Sequence, residues 1–216
     1  QQIVLLSPMI GVTAFARFAG FAGLPAMLPA FAKAAWLNIS PEYNPYKYNS
    51  FPVNAARQSW LLTQALHEQI NRDVHDHKLA QLPPVLAFQS VMDSTVSTRA
   101  VVSGLFDQLP ANGSELVVFD INQAGSFRPL FRPSSWTAVA DLLPGAKRRY
   151  SVTIVTNASP DRFDMVAKTT PAGSTRETVM PLSVAYPQEV YSLSHVAIPF
   201  PPDDDLYGRY PEVKNH

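Results

Sequence analysis

Apolar residues along the chain fall into short unbroken runs separated by longer stretches of helical period. Residues 3–6 (IVLL), 85–88 (VLAF) and 115–120 (ELVVFD) are compact apolar runs, and each reads as a strand buried on both faces of a parallel sheet. The first run is closed by Ser7-Pro8 and the second is preceded by Pro83-Pro84. Residues 12–37 have a helical pattern broken by Pro25 and Pro29. Residues 43–51 (YNPYKYNSF) read as a loop. In residues 53–72, Ala56, Trp60, Leu61, Leu66 and Ile70 recur near a 3.6 period, with Asn54 a suitable start. Residues 95–109 suit a helix and residues 110–114 (PANGS) a turn. Strand, long helical insertion, strand, helix, strand is the order of an α/β fold, a mostly parallel sheet with crossover helices.

After Asp120 the pattern changes. Residues 132–143 contain a short helix capped by Ser134 or Ser135. Residues 150–155 (YSVTIV) alternate as a strand does, and residues 164–170 and 177–184 are partners for it around the turn Ala172-Gly173-Ser174. Residues 123–189 are therefore expected to be a β-containing insertion on the sheet, within one domain over 1–216.

Composition narrows the function. The 216 residues are 46% hydrophobic and 16% charged, enough for a sizeable core. Seventeen basic and seventeen acidic residues balance, and the pairs Arg148-Arg149 and Arg128 with Arg132 have no interleaved aromatics, so no nucleic-acid partner is expected. With no cysteine, thiolate zinc sites, disulfides and cysteine nucleophiles are excluded. No signal peptide or membrane-spanning segment is recognisable, and the compartment stays unknown. Residues 12–37 are the most hydrophobic stretch, but Arg17, Lys33 and the two prolines argue against a span. They suit a cap or core helix pair, with membrane-surface contact as the alternative.

Ligands bind at the carboxyl ends of strands in open parallel sheets, which singles out Ser7, Asp93 and Asp120. Asp93 lies in a short polar loop past its strand. It reads equally as a catalytic acid and as a cap for the helix that follows. His195, in YSLSHVAIPFPPDDDLYG, is the candidate general base, and a carboxylate on its Nδ1 side would fix its tautomer. Asp120 is the second candidate for the acid. Asp73, His75, Asp76 and His77 read as a solvated linker, since no further ligand stands near them in sequence. Asp203, Asp204 and Asp205 lack the spaced ligands of a calcium loop. No metal or cofactor is expected.

Acid before histidine, each after a late strand of a parallel sheet, is the order of an α/β-hydrolase. The chain resembles the second half of such an enzyme, of the lysophospholipase or monoglyceride-lipase-like group. Residues 3–10 (IVLLSPMI) resemble the strand after the nucleophile elbow, residues 84–96 (PVLAFQSVMDSTV) the strand and loop of the triad acid, and residues 192–197 (SLSHVA) the histidine loop. The resemblance implies Asp93 as acid, His195 as base and residues 11–78 as a helical cap or lid. Two departures accompany it. No Gly-x-Ser-x-Gly pentapeptide is present, so the nucleophilic serine and the oxyanion hole are expected upstream of residue 1, in a missing N-terminal half of the same protein. Asp93 and His195 also stand roughly 100 residues apart, against about 30 for one βαβ unit, which makes residues 123–189 an insertion.

The resemblance implies hydrolysis of a carboxylic ester, with a lipid-like or acyl small molecule as substrate. A non-catalytic binding or scaffold protein with a hydrolase-like fold is the alternative, and the residues preceding Gln1 discriminate the two.

Overall fold

The computed structural model describes residues 1–12, 33, 35–38, 51–93, 96–124, 143 and 148–187. The chain divides into two compact units, Gln1–Gly11 with Leu66–Ala197 and Val12–Ala65 with Ile198–His216.

The first unit is built on one six-stranded sheet. Its strands are β1 (Ile3–Leu6), β4 (Val85–Ser90), β5 (Glu115–Phe119), β6 (Ser151–Asn157), β7 (Asp164–Thr170) and β8 (Thr178–Ala185), side by side in that order. The numbers β2 (Trp36–Asn38) and β3 (Phe51–Pro52) belong to a small antiparallel pair in the second unit. From β1 to β6 every pairing is parallel, with Leu6 opposite Phe88, Ser90 opposite Phe119 and Phe119 opposite Val155. β7 and β8 then add antiparallel, and β8 pairs with β7 and not with β6, which corrects the expectation that residues 177–184 partner residues 150–155. The expected α/β class therefore holds as a mixed sheet with few helices. The three described strands of residues 123–189 extend the same sheet.

Helices close the parallel crossovers. Helix α1 (Val53–His75) lies between β1 and β4, and helix α2 (Thr98–Gly104) with the 3-10 turn Phe106–Gln108 lies between β4 and β5. The single helix expected over residues 95–109 is thus shorter and tightens at its end. Helix α1 runs three residues past the expected Arg72, and His77, at φ 57°, stops the chain before the 3-10 turn Lys78–Gln81. Along α1, Ala56, Thr63 and Ile70 are buried, whereas Leu61 is exposed. The hydroxyl of Thr63 donates to the Trp60 carbonyl at 2.8 Å, which lets a polar residue take an inner position. Residues 36–38 are extended, which corrects the helical reading at the end of residues 12–37. The rest of the proposed 11–78 cap before Phe51 lies mostly outside the described residues, as do the short helix over 132–143 and His195.

Alternation along the strands sends side chains to two faces. One face carries Val85, Ala87, Leu116, Val118 and Val152 against Ile70, Val101, Val102, Phe106 and Leu109, the helix-covered core. The other carries Val117, Val155, Met165 and Tyr186, with Phe88 stacked on Phe119 at 6.4 Å between ring centroids. On this second face the apolar surface runs out to the edge strand β1, where Val4 and Leu6 are 55% and 75% exposed.

The turn between α2 and β5 is pinned by side chains. Ser114, buried, accepts from the Val85 amide at 2.9 Å and donates to Asn112 Oδ1 at 2.7 Å, while Gly113 takes φ 86°. A left-handed residue here favours glycine. Among the described residues no helix is long and apolar enough to cross a membrane.

Candidate functional site at the carboxyl edge of the sheet

Parallel pairing from β1 to β6 brings four strand ends to one edge, and the loops leaving it carry Ser7, Asp93 and Asp120. Ser7 is the last residue tied to the ladder, its amide donating to the Phe88 carbonyl at 2.9 Å. It has φ 45°, unusual for a residue with a side chain, and Pro8 follows it. The chain then turns through Gly11, whose carbonyl accepts from the Ser97 amide at 2.9 Å. The loop after β1 is thereby fastened to the loop after β4.

Asp93 sits in that second loop. Its amide donates to the Ser90 carbonyl at 3.3 Å, and its Oδ1 accepts from the Val96 amide at 2.9 Å. The cap of α2 is a different residue: Ser97 Oγ accepts from the Ala100 amide at 3.2 Å. Of the two roles open to Asp93 from sequence, helix capping is filled by Ser97. The carboxylate of Asp93 instead braces its own turn. The loop is held to the next strand by the Val91 amide, which donates to the Phe119 carbonyl at 3.1 Å.

Asp120 ends β5 in a buried polar cluster that sequence reasoning did not assemble. Its Oδ1 accepts from the Ile121 amide at 2.8 Å and its Oδ2 from the Thr156 hydroxyl at 3.0 Å. The Tyr186 hydroxyl donates to the Asp120 carbonyl at 2.9 Å. Asn157 donates to Asn122 Oδ1 at 3.1 Å and to the Arg162 carbonyl at 2.7 Å, and accepts from the Gln123 amide at 2.7 Å. Burial pushes the Asp120 carboxyl above the usual aspartate range, against the pull of the Ile121 and Thr156 hydrogen bonds. Burial likewise raises the Tyr186 phenol, helped by Asp120. Asp120 Oδ2 fastens β5 to β6 through Thr156 while Oδ1 braces the turn at Ile121, so Asp120 is a strut of the edge. The signal for this cluster was present in the sequence as polar residues directly after two strands, DIN at 120–122 and TN at 156–157.

His195 lies outside the described residues, so the structure gives no distance between it and Asp93. Of the quartet, His75, Asp76 and His77 are exposed and Asp73 half-buried, with Gln69 donating to Asp73 at 2.9 Å and Lys78 pairing with Asp76 at 2.8 Å. Lys78 and His75 hold the Asp76 carboxyl below its usual range. Among the described residues no three histidine or carboxylate side chains converge as a metal site. Comparison with protein-family models, curated proteins and solved structures finds no match to this chain.

Proposed function

We propose that the chain supplies the acid and the base of a serine hydrolase that cleaves carboxylic esters, with lipid-like or acyl substrates. Asp93 orients His195 and stabilises its imidazolium. His195 takes the proton of the attacking serine and passes it to the leaving alcohol. The serine and the oxyanion donors belong, on this reading, to chain preceding β1.

The observation that carries the proposal is the position of Asp93. It stands at the carboxyl edge of a parallel sheet, in a braced turn, while a different residue caps the following helix. The bond from the Val96 amide to Oδ1 fixes where that carboxylate stands at the edge. The one-way strand order from β1 to β6 also suits the order acid then base. The apolar outer face of β1 suits a further layer of the same fold, because parallel sheets are covered on both faces.

The test is turnover of a short-chain aryl ester by the complete protein. His195→Ala is expected to abolish it with folding intact. Asp93→Asn is expected to lower kcat by about 10⁴-fold, as a displaced tautomer does in other triads. A fluorophosphonate probe followed by peptide mapping locates the serine. Wild-type turnover in both variants overturns the assignment, and so does labelling confined to residues 1–216.

A further inference from the structure

We propose that Gln89 and Thr98 are positioning residues for Asp93, acting through the carbonyl of Ser90. The proposal rests on Asp93 being the triad acid. A carboxylate that orients an imidazole must be held to a fraction of an ångström, and misplacement by about 1 Å can cost about a hundredfold in rate. The loop carrying Asp93 has little regular structure to provide that precision.

One acceptor gathers several of the ties that hold it. The Ser90 carbonyl, the last of β4, accepts from the Asp93 amide at 3.3 Å, the Thr98 hydroxyl at 2.9 Å and the Gln89 side-chain amide at 3.2 Å. The three donors come from the strand, the loop and the helix, so this oxygen sets the loop's height over the sheet and the start of α2 together. Ser90 Oγ adds a further tie, accepting from the Met92 amide at 3.2 Å. Thr98 is the first residue of α2 and is buried, and Ser97 already supplies the cap. Its hydroxyl is therefore free for this backward bond.

Gln89 makes the stronger case. It is 1% exposed on the helix-covered face, and its Oε1 is buried with no hydrogen-bond partner among the described residues. A half-satisfied amide in a core costs stability that methionine of similar volume would not. The only described hydrogen bond of its side chain is the one to Ser90, and that bond serves the Asp93 turn.

The experiment compares Thr98→Val, Thr98→Ser, Gln89→Met and Asp93→Asn in the complete protein, following aryl-ester hydrolysis against pH together with thermal unfolding. Thr98→Val is expected to lower kcat about ten- to a hundredfold at unchanged KM, with Thr98→Ser restoring it. Gln89→Met is expected to lower kcat while leaving the melting temperature unchanged or raised. In both weakened variants the acidic limb of kcat/KM moves to lower pH, because a displaced carboxylate stabilises the imidazolium less. A purely structural role would not move that limb. If Asp93→Asn cripples turnover while Thr98→Val and Gln89→Met keep wild-type kcat and pH limb, the positioning role is overturned. If Asp93→Asn turns over as wild type, the hydrolase reading falls and takes this inference with it. Should Thr98→Val fail to fold, Gln89→Met carries the same test without a change at the helix start.

Discussion

Gly11 and Ala100 meet so closely that a Cβ built on Gly11 would lie 2.5 Å from the Cβ of Ala100. No packing rearrangement of a flexible side chain can relieve this, since Ala100 has only the one side-chain carbon on a helix. The close approach is what lets the Gly11 carbonyl accept from the Ser97 amide and join the loops after β1 and β4. Gly11→Ala is expected to destabilise the protein by about 1–3 kcal/mol through overpacking. Placing Ala100→Gly in the same chain should return part of that loss, after its own helix-propensity cost of about 1 kcal/mol. Urea unfolding of the two single variants and the double variant measures the coupling. Strictly additive effects would mean that the two residues do not meet.

Tyr186 is buried and crosses from the end of β8 to the end of β5, donating to the Asp120 carbonyl at 2.9 Å, with the Val155 carbonyl at 3.3 Å. Its ring also fills the second core beside Val117, Val155 and Met165. Tyr186→Phe keeps the ring and removes the donor. The expected loss is about 1 kcal/mol, that of one buried hydrogen bond. Tyr186→Ala adds a cavity and should lose about 3–5 kcal/mol in total. Denaturant unfolding separates the two, and equal losses would place the energy in the hydroxyl alone.

Asp120 should make stability depend on pH in the direction opposite to a salt-bridged aspartate. Burial raises its pKa in the folded protein, so the folded state holds the proton more tightly than the unfolded chain. Its contribution is then fully present below the ordinary aspartate value of 3.8 and is lost as pH rises through the raised value. Asp120→Asn removes the titration, and the Thr156 hydroxyl can reorient to accept from the new amide. The stability of wild type relative to Asp120→Asn is expected to fall as pH is raised from the acid range to neutrality. Thermal unfolding of both proteins across that range provides the check, and a difference that grows with pH would contradict the assignment.

The parallel strands were legible because they are continuous apolar runs, IVLL, VLAF and ELVVF; burial on both faces holds for β4 and β5 but not for β1, an edge strand whose Val4 and Leu6 are exposed. The hairpin strands were legible for a different reason, the Gly173 turn between two alternating segments. The second unit was less so. Residues 36–38 carry the end of a helical apolar pattern, yet they pair with Phe51–Pro52, a long-range contact that periodicity does not encode. Asp93 was placed correctly past its strand, but only hydrogen-bond geometry shows that Ser97 caps the helix. The Gln89, Thr98 and Ser90 arrangement was invisible, because a glutamine ending an apolar run gives no sign of which carbonyl it will reach.

Leu6 separates the hydrolase reading from a free-standing sheet. It is 75% exposed on β1, beside Val4 on the same face and opposite Phe88. Exposed apolar edge strands invite association, and β1 has neither lysine nor proline within it to discourage this. At the other edge, β8 carries Pro181, which lacks a backbone donor and blunts that strand. β8 also leaves Val179, Met180 and Val184 more than half exposed, so the proline is what distinguishes the two edges, and on the proposed hydrolase reading β1 is the one covered in the complete protein. Leu6→Lys should therefore have opposite effects in two settings. In residues 1–216 alone it should reduce association, read as light scattering and sedimentation, at unchanged melting temperature. In the complete protein it should cost about 2 kcal/mol or more, because a buried leucine side chain contributes roughly that on removal from water and a lysine there brings an unpaired charge. If the complete protein tolerates Leu6→Lys without loss of stability, Leu6 stays exposed and β1 is an edge after all.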